Sequence, residues 1–81
     1  MVTFEVEVSL KKGVVDPEGA NVKKTLELLG FEGIEDVRFS RCYVISLSTD
    51  DREEGRRMVE EMCNRLLSNP VINTYAIRER D

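Results

Sequence analysis

The sequence predicts an α+β fold in β-α-β-β-α-β order, an antiparallel sheet with two helices on one face, the ferredoxin-like layout. Three observations predict it. Val2, Phe4, Val6, Val8 and Leu10 alternate with Thr3, Glu5, Glu7 and Ser9, the period of a strand with one buried face. Two later stretches carry apolar residues at helical spacing, each opened by an aspartate able to cap it. Extended-looking segments separate and follow them. A chain of 81 residues bounds all this to one small domain, 1–81.

Lys11-Lys12-Gly13 ends the first strand. Asp16 caps the first helix, and Pro17 suits its first position, where no N–H is needed. Val22, Leu26 and Leu29 form its apolar stripe with Thr25 alongside, and Gly30 supplies the left-handed residue that stops it. Residues 34–39 and 42–48 then read as two strands joined by a tight turn at Ser40-Arg41. Tyr43, Ile45 and Leu47 share one face of the second of these; Cys42, Val44 and Ser46 share the other.

Asp50, three residues before Glu53, reads as the cap of the second helix. Met58, Met62 and Leu66, with Val59, Cys63 and Leu67, form a wide apolar stripe. Glu53–Arg57 and Glu61–Arg65 are spaced as ion pairs on the wet side. Gly55 projects onto the buried stripe, either because a neighbouring backbone comes close or as a tolerated weak spot. Asn69-Pro70 stops the helix, since proline disfavours helical conformation before it and lacks the N–H to continue the ladder. Residues 71–77 read as the last strand and 78–81 as a charged tail. The open sheet face is expected to show Glu5, Glu7, Cys42, Val44, Ile72, Thr74 and Ala76, half apolar and suited to an oligomer contact.

Composition removes several classes of function. With no histidine, neither serine nor cysteine has its usual base, and two lone cysteines cannot form a structural zinc set. Cys63 falls in the apolar stripe and reads as core; Cys42 reads as a sheet-face thiol. Neither G-x-G-x-x-G nor a Walker pattern is present. A net charge of −4 with mixed signs, and a sheet without paired aromatics, argue against nucleic acid. No apolar run is long enough to span a membrane, and free cysteines suit a reducing, cytoplasmic setting. The one polar cluster of interest is Lys11, Lys12, Gly13 and Asp16, joined by Arg38 and Arg41; it reads equally as solvating charge or as a partner- or anion-binding loop.

Three motifs carry a resemblance: LKKGVVDPEG at Leu10–Gly19, LGFEGIEDVR at Leu29–Arg38 and MCNRLLSNPVINTYAI at Met62–Ile77. In this order and over nearly the whole chain, they resemble the PurS family, the small subunit of phosphoribosylformylglycinamidine synthase. Gly55, where a small helix former such as Ala is more usual, and Ser-Arg-Cys in the 39–42 turn depart from the pattern. The resemblance implies a subunit of a ligase of de novo purine biosynthesis. That ligase uses ATP and glutamine to convert formylglycinamide ribonucleotide to its amidine. It implies a homo-oligomer that bridges a glutaminase subunit (PurQ) and a large synthetase subunit (PurL) and supports ammonia transfer between them. No catalytic residue, metal or cofactor is then expected on this chain; ATP and Mg belong to the synthetase subunit. Lys11, Lys12, Gly13, Asp16, Pro17, Arg38, Asn69, Pro70 and Val71 are the expected partner contacts. The rival is a freestanding ACT-like domain that senses a small molecule, which shares the element order and for which Gly13 would suit the ligand loop.

Overall fold

The structure, a computed structural model, describes residues 1–80. The elements run β1 (Val2–Leu10), α1 (Pro17–Leu28), β2 (Ser40–Leu47), α2 (Arg52–Met62), a π-helical turn (Cys63–Leu67) and β3 (Asn73–Arg80). β1 lies between β2 and β3, and both pairings are antiparallel.

The alternation in β1 does what it predicts. Phe4, Val6 and Val8 are buried and form the core with Val59 and Cys63 from above. Ile45, Tyr43 and Ile77 flank them in register, Phe4 opposite Ile45 and Val6 between Tyr43 and Ile77. Burial pushes the Cys63 thiol up, as expected of a core sulfur.

α2 presses closely on β1 because of Gly55. A Cβ there would lie 2.9 Å from both Phe4 Cε2 and Val2 Cγ2. Close approach of two side chains, rather than of a backbone or a tolerated weak spot, therefore accounts for this glycine. Gly55→Ala gains about 1 kcal/mol of helix propensity but overpacks a buried ring at a cost of about 1–3 kcal/mol. Urea denaturation is expected to show net destabilisation on the order of 1 kcal/mol, opposite in sign to the propensity scale.

Several local expectations change. The cap of α2 is Asp51, whose Oδ1 accepts from the backbone N–H groups of Glu53 (3.0 Å) and Glu54 (3.2 Å). Asp50 instead pairs with the N-terminal ammonium. Arg56–Glu60 joins Glu61–Arg65 as a pair along the helix, in place of Glu53–Arg57. Leu66 is 83 % exposed. The π turn adds a residue per turn at Cys63 and carries Leu66 off the stripe, while Leu67 follows Val59 and Cys63 against the core as expected.

The charged tail is part of the sheet. Arg78 and Arg80 alternate onto the face that carries Glu5 and Glu7 and pair with them: Arg78–Glu7 at 3.3 Å, Arg80–Glu5 at 3.5 Å, Arg78–Glu5 at 3.8 Å. Asp81 lies outside the described residues. Ile72 precedes the strand, so the open face is a polar ladder with only Cys42, Val44 and Ala76 as apolar relief. It suits water better than the oligomer contact expected of it.

The largest difference concerns residues 34–39. They pair with no strand, so the sheet has three strands rather than four. Gly30, at φ 99°, does stop α1: its N–H donates to Glu27 O and that of Phe31 to Leu26 O, the paired bonds of a Schellman motif. The chain then returns along α1 to the helix N-terminus before entering β2. α1 itself stands off the sheet, and Gly19 is its one buried residue. Of the two helices, α2 alone covers the sheet in this chain.

Candidate functional site

The three sequence motifs meet at one end of the sheet. β1 runs out at Leu10, and the Lys11 N–H donates to Ile72 O (2.8 Å), which fastens the Asn69–Asn73 corner to the strand end. The following turn closes with Val14 N–H donating to Lys11 O (3.1 Å), and Gly13 supplies its φ of 89°.

Asp16 is the clamp of this end. One carboxylate oxygen accepts from the Gly19 N–H (2.8 Å) and so caps α1; the other accepts from the Phe39 N–H (2.8 Å) and so captures the returning segment. The backbone N–H groups of Phe39 and Gly19, helped by the charge of Arg38, hold its carboxyl below the usual aspartate range. Pro17 occupies the first helical position, as expected. Arg38 reaches across to donate to Leu10 O (3.4 Å).

The sign of the resulting pH dependence follows directly. A carboxyl with a depressed pKa in the folded state contributes stability above its unfolded value of about 3.9, and that contribution is lost as pH falls through the folded pKa. Asp16→Asn is expected to flatten the acid limb of a Tm-versus-pH curve relative to the parent. Glu7 and Asp50 also sit low, so the difference between the two curves is the quantity that reports Asp16.

The Asn69-Pro70 corner is built from side-chain bonds. Asn69 Oδ1 accepts from the Val71 N–H (3.0 Å), and Asn69 O accepts from the N–H groups of Ile72 (3.1 Å) and Asn73 (2.7 Å). Asn73 Oδ1 accepts from the Asn69 N–H (2.9 Å), while its Nδ2 donates to Ser9 O (3.3 Å). The corner is thus locked to itself and to β1, and it leaves Pro70 and Val71 facing solvent.

All nine expected contact residues fall at this end. Lys12, Gly13, Pro17, Pro70 and Val71 are exposed there; Asp16 and Asn69 act chiefly as fasteners. Sequence reasoning missed Gly19, Asn73 and Phe39. Asn73 stands four residues after Asn69, a spacing that permits the reciprocal bond, and Gly19 stands three after the cap. Phe39 and Ile72, with Val8, Leu10 and Arg41, line a depression of 270 Å³ beside Asp16. Its lining holds no nucleophile paired with a base. Among the described residues no group of His, Cys, Asp and Glu side chains could hold a metal ion.

The PurS model of phosphoribosylformylglycinamidine (FGAM) synthase matches residues 3–81. The chain belongs to the PurS family. It is 43 % identical over 77 residues to phosphoribosylformylglycinamidine synthase subunit PurS of Archaeoglobus fulgidus, covering 95 % of this chain and 96 % of that one. The crystal structure of Methanocaldococcus jannaschii PurS, a subunit of formylglycinamide ribonucleotide amidotransferase, superposes with a TM-score of 0.89 at 37 % identity, over 100 % of this chain and 98 % of that one. A chain in the structure of PurLQS from Thermotoga maritima matches with a TM-score of 0.88 at 26 % identity, over 98 % and 96 %. These matches disfavour the ACT-like alternative, and they place the α+β class and antiparallel sheet of this PurS-family chain beside solved relatives.

Proposed function

We propose that the chain is the adaptor subunit of a phosphoribosylformylglycinamidine synthase, a ligase of purine biosynthesis, working as a homo-oligomer between a glutaminase subunit and a synthetase subunit in the cytoplasm. The observation that carries this is the family match over residues 3–81. The PurLQS relative supports the choice of partners. No helix among the described residues is long and apolar enough to cross a membrane.

Its part in the reaction is positional. Ammonia released into water protonates and diffuses away, so glutamine hydrolysis and amidation are coupled only when two active sites are held in register and shielded from solvent. ATP and Mg²⁺ act on the synthetase subunit, and this chain supplies rigidity rather than a reacting group. The strand end fits such a role, because Lys11, Lys12, Pro70 and Val71 project from a frame fixed by Asp16, Asn69 and Asn73.

Lys11→Ala and Arg38→Ala remove charge at that end without touching the core. Each is expected to weaken capture of the glutaminase and synthetase subunits by about tenfold, the effect of losing one charged contact. The Tm of the isolated chain is expected to change little. Capture at parental strength by the double variant would remove this end as the contact surface.

A further inference from the structure

The chain carries a net charge of −4, yet four cations, Lys11, Lys12, Arg38 and Arg41, gather where β1 runs out. They surround the depression beside Asp16. Arg41 is part of its wall. Arg38 donates to the carbonyl of Leu10 in that wall, and the Lys11 N–H donates to the carbonyl of Ile72. Among the described residues, Lys11, Lys12 and Arg41 have no carboxylate in ion-pair contact, whereas Arg52, Arg56, Arg65, Arg78 and Arg80 all do. Arg41 instead lies over the Tyr43 ring, 6.0 Å from its centroid, a weak hold at an exposed site. Asp16 has no oxygen to spare for these cations, since one accepts from Gly19 and the other from Phe39.

The depression itself is apolar. Val8, Leu10, Pro17, Phe39 and Ile72 form most of its wall. Phe39 and Ile72 remain 44 % and 39 % exposed at its mouth. Its 270 Å³ falls short of the about 300–1,000 Å³ of a small-molecule site. It exceeds the about 150 Å³ that takes a benzene ring. It therefore has room for one large side chain. Asp16 and Glu18 in the wall repel an anion from the interior, so the cations act at the rim.

We propose that this depression seats one aromatic or large aliphatic side chain from an acidic segment of a larger subunit of the synthase, whose carboxylates meet Lys11, Lys12 and Arg41 around it. The anchor in a desolvated pocket supplies affinity, and opposite charge at the rim supplies encounter rate and choice of partner. The inference rests on the strand end being the partner contact and names the chemistry that it contacts.

Zero-length carbodiimide coupling of the assembled complex tests it on the parent chain. The reagent joins a lysine only to a carboxylate in contact with it. Lys11 or Lys12 is expected to be joined to an aspartate or glutamate of the glutaminase or synthetase subunit, with a large apolar residue close by in that segment. Two variants test the pocket. Ile72→Trp plugs it from the rim, and Arg41→Glu reverses its cation. Each is expected to weaken capture of the coupled subunit by about tenfold or more, with the Tm and sedimentation of the isolated chain unchanged. Added salt is expected to weaken capture of the parent more than that of Arg41→Glu. Capture at parental strength by both variants overturns the depression as the seat, while the strand-end reading still stands on Lys11 and Arg38. Coupling of the lysines only to carboxylates of a second copy, or to no other chain, overturns it as well. A parent that captures neither larger subunit removes the adaptor reading together with this one.

Discussion

Gly19→Ala is expected to lower the stability of the chain by about 2–3 kcal/mol, the upper range for overpacking, a fall in Tm of roughly 10 °C or more for a domain of this size. A Cβ at position 19 would stand 2.2 Å from the carbonyl oxygen of Val37 and 2.8 Å from Asp16 Oδ2. A backbone carbonyl cannot rotate aside as a side-chain tip can. Residues 37–39 must retreat, and the Phe39 N–H then leaves Asp16. Removing a glycine from a helix normally stabilises it by about 1 kcal/mol, so loss of stability here reports the close approach itself. Thermal melts of Gly19→Ala and Ala20→Gly, side by side, check this. Equal and small shifts in the two would count against the packing of the returning segment on α1.

Phe4→Ala is expected to be more damaging still. The ring is wholly buried at the centre of the sheet, between Ile45 and Glu79 in register and beneath Gly55. Truncating it leaves a cavity at a cost of about 3–5 kcal/mol, a large part of the total stability of about 4–12 kcal/mol expected of such a chain. The variant should populate its unfolded state measurably in mild urea. Phe4→Leu keeps most of the volume and is expected to cost about 1.5 kcal/mol or less. It also frees space under position 55. Combined with Gly55→Ala it should therefore cost less than the two singles together, with a coupling of about 0.5 kcal/mol or more. Strict additivity in that cycle would refute the contact between Gly55 and Phe4.

The elements that local chemistry fully specifies were legible in the sequence. β1 alternates over nine residues, Asp16-Pro17 opens α1, Gly30 ends it, and Asn69-Pro70 ends the second helical stretch. The misread parts are those settled by distant partners. Residues 34–39 look extended and apolar, yet their half-buried residues, Ile34 and Val37, are three apart rather than two. Their backbone is claimed by Asp16 and by the space that Gly19 leaves, which no window of sequence reveals. Arg78, Glu79 and Arg80 look like a solvated tail until Glu5, Glu7 and Arg52 are placed opposite them. Asp50 and Asp51 are equivalent caps by residue type, and the cap is Asp51 because its extended backbone immediately precedes the first helical residue, Arg52.

The candidate site divides in the same way. The three motifs named the residues that converge on the strand end, because turn and cap chemistry is local. The motifs could not say which of those residues are fasteners and which face solvent. Asp16 and Asn69 proved to spend their polar atoms on backbone N–H groups, so substituting them tests the frame. Lys11 and Arg38 do so only through a backbone group or one long bond, so their charges test the surface.

The proposed adaptor role is the coupling of two active sites on the glutaminase and synthetase subunits. Glutamine-dependent amidation of formylglycinamide ribonucleotide tests that role most directly. It is measured with ATP, Mg²⁺, the glutaminase and the synthetase subunits, with and without this chain. Glutamine-dependent turnover is expected only when the chain is present, ammonia-dependent turnover by the synthetase in either case, and none from the chain alone. Equal glutamine-dependent turnover without the chain would overturn the adaptor role, and so would turnover by the purified chain.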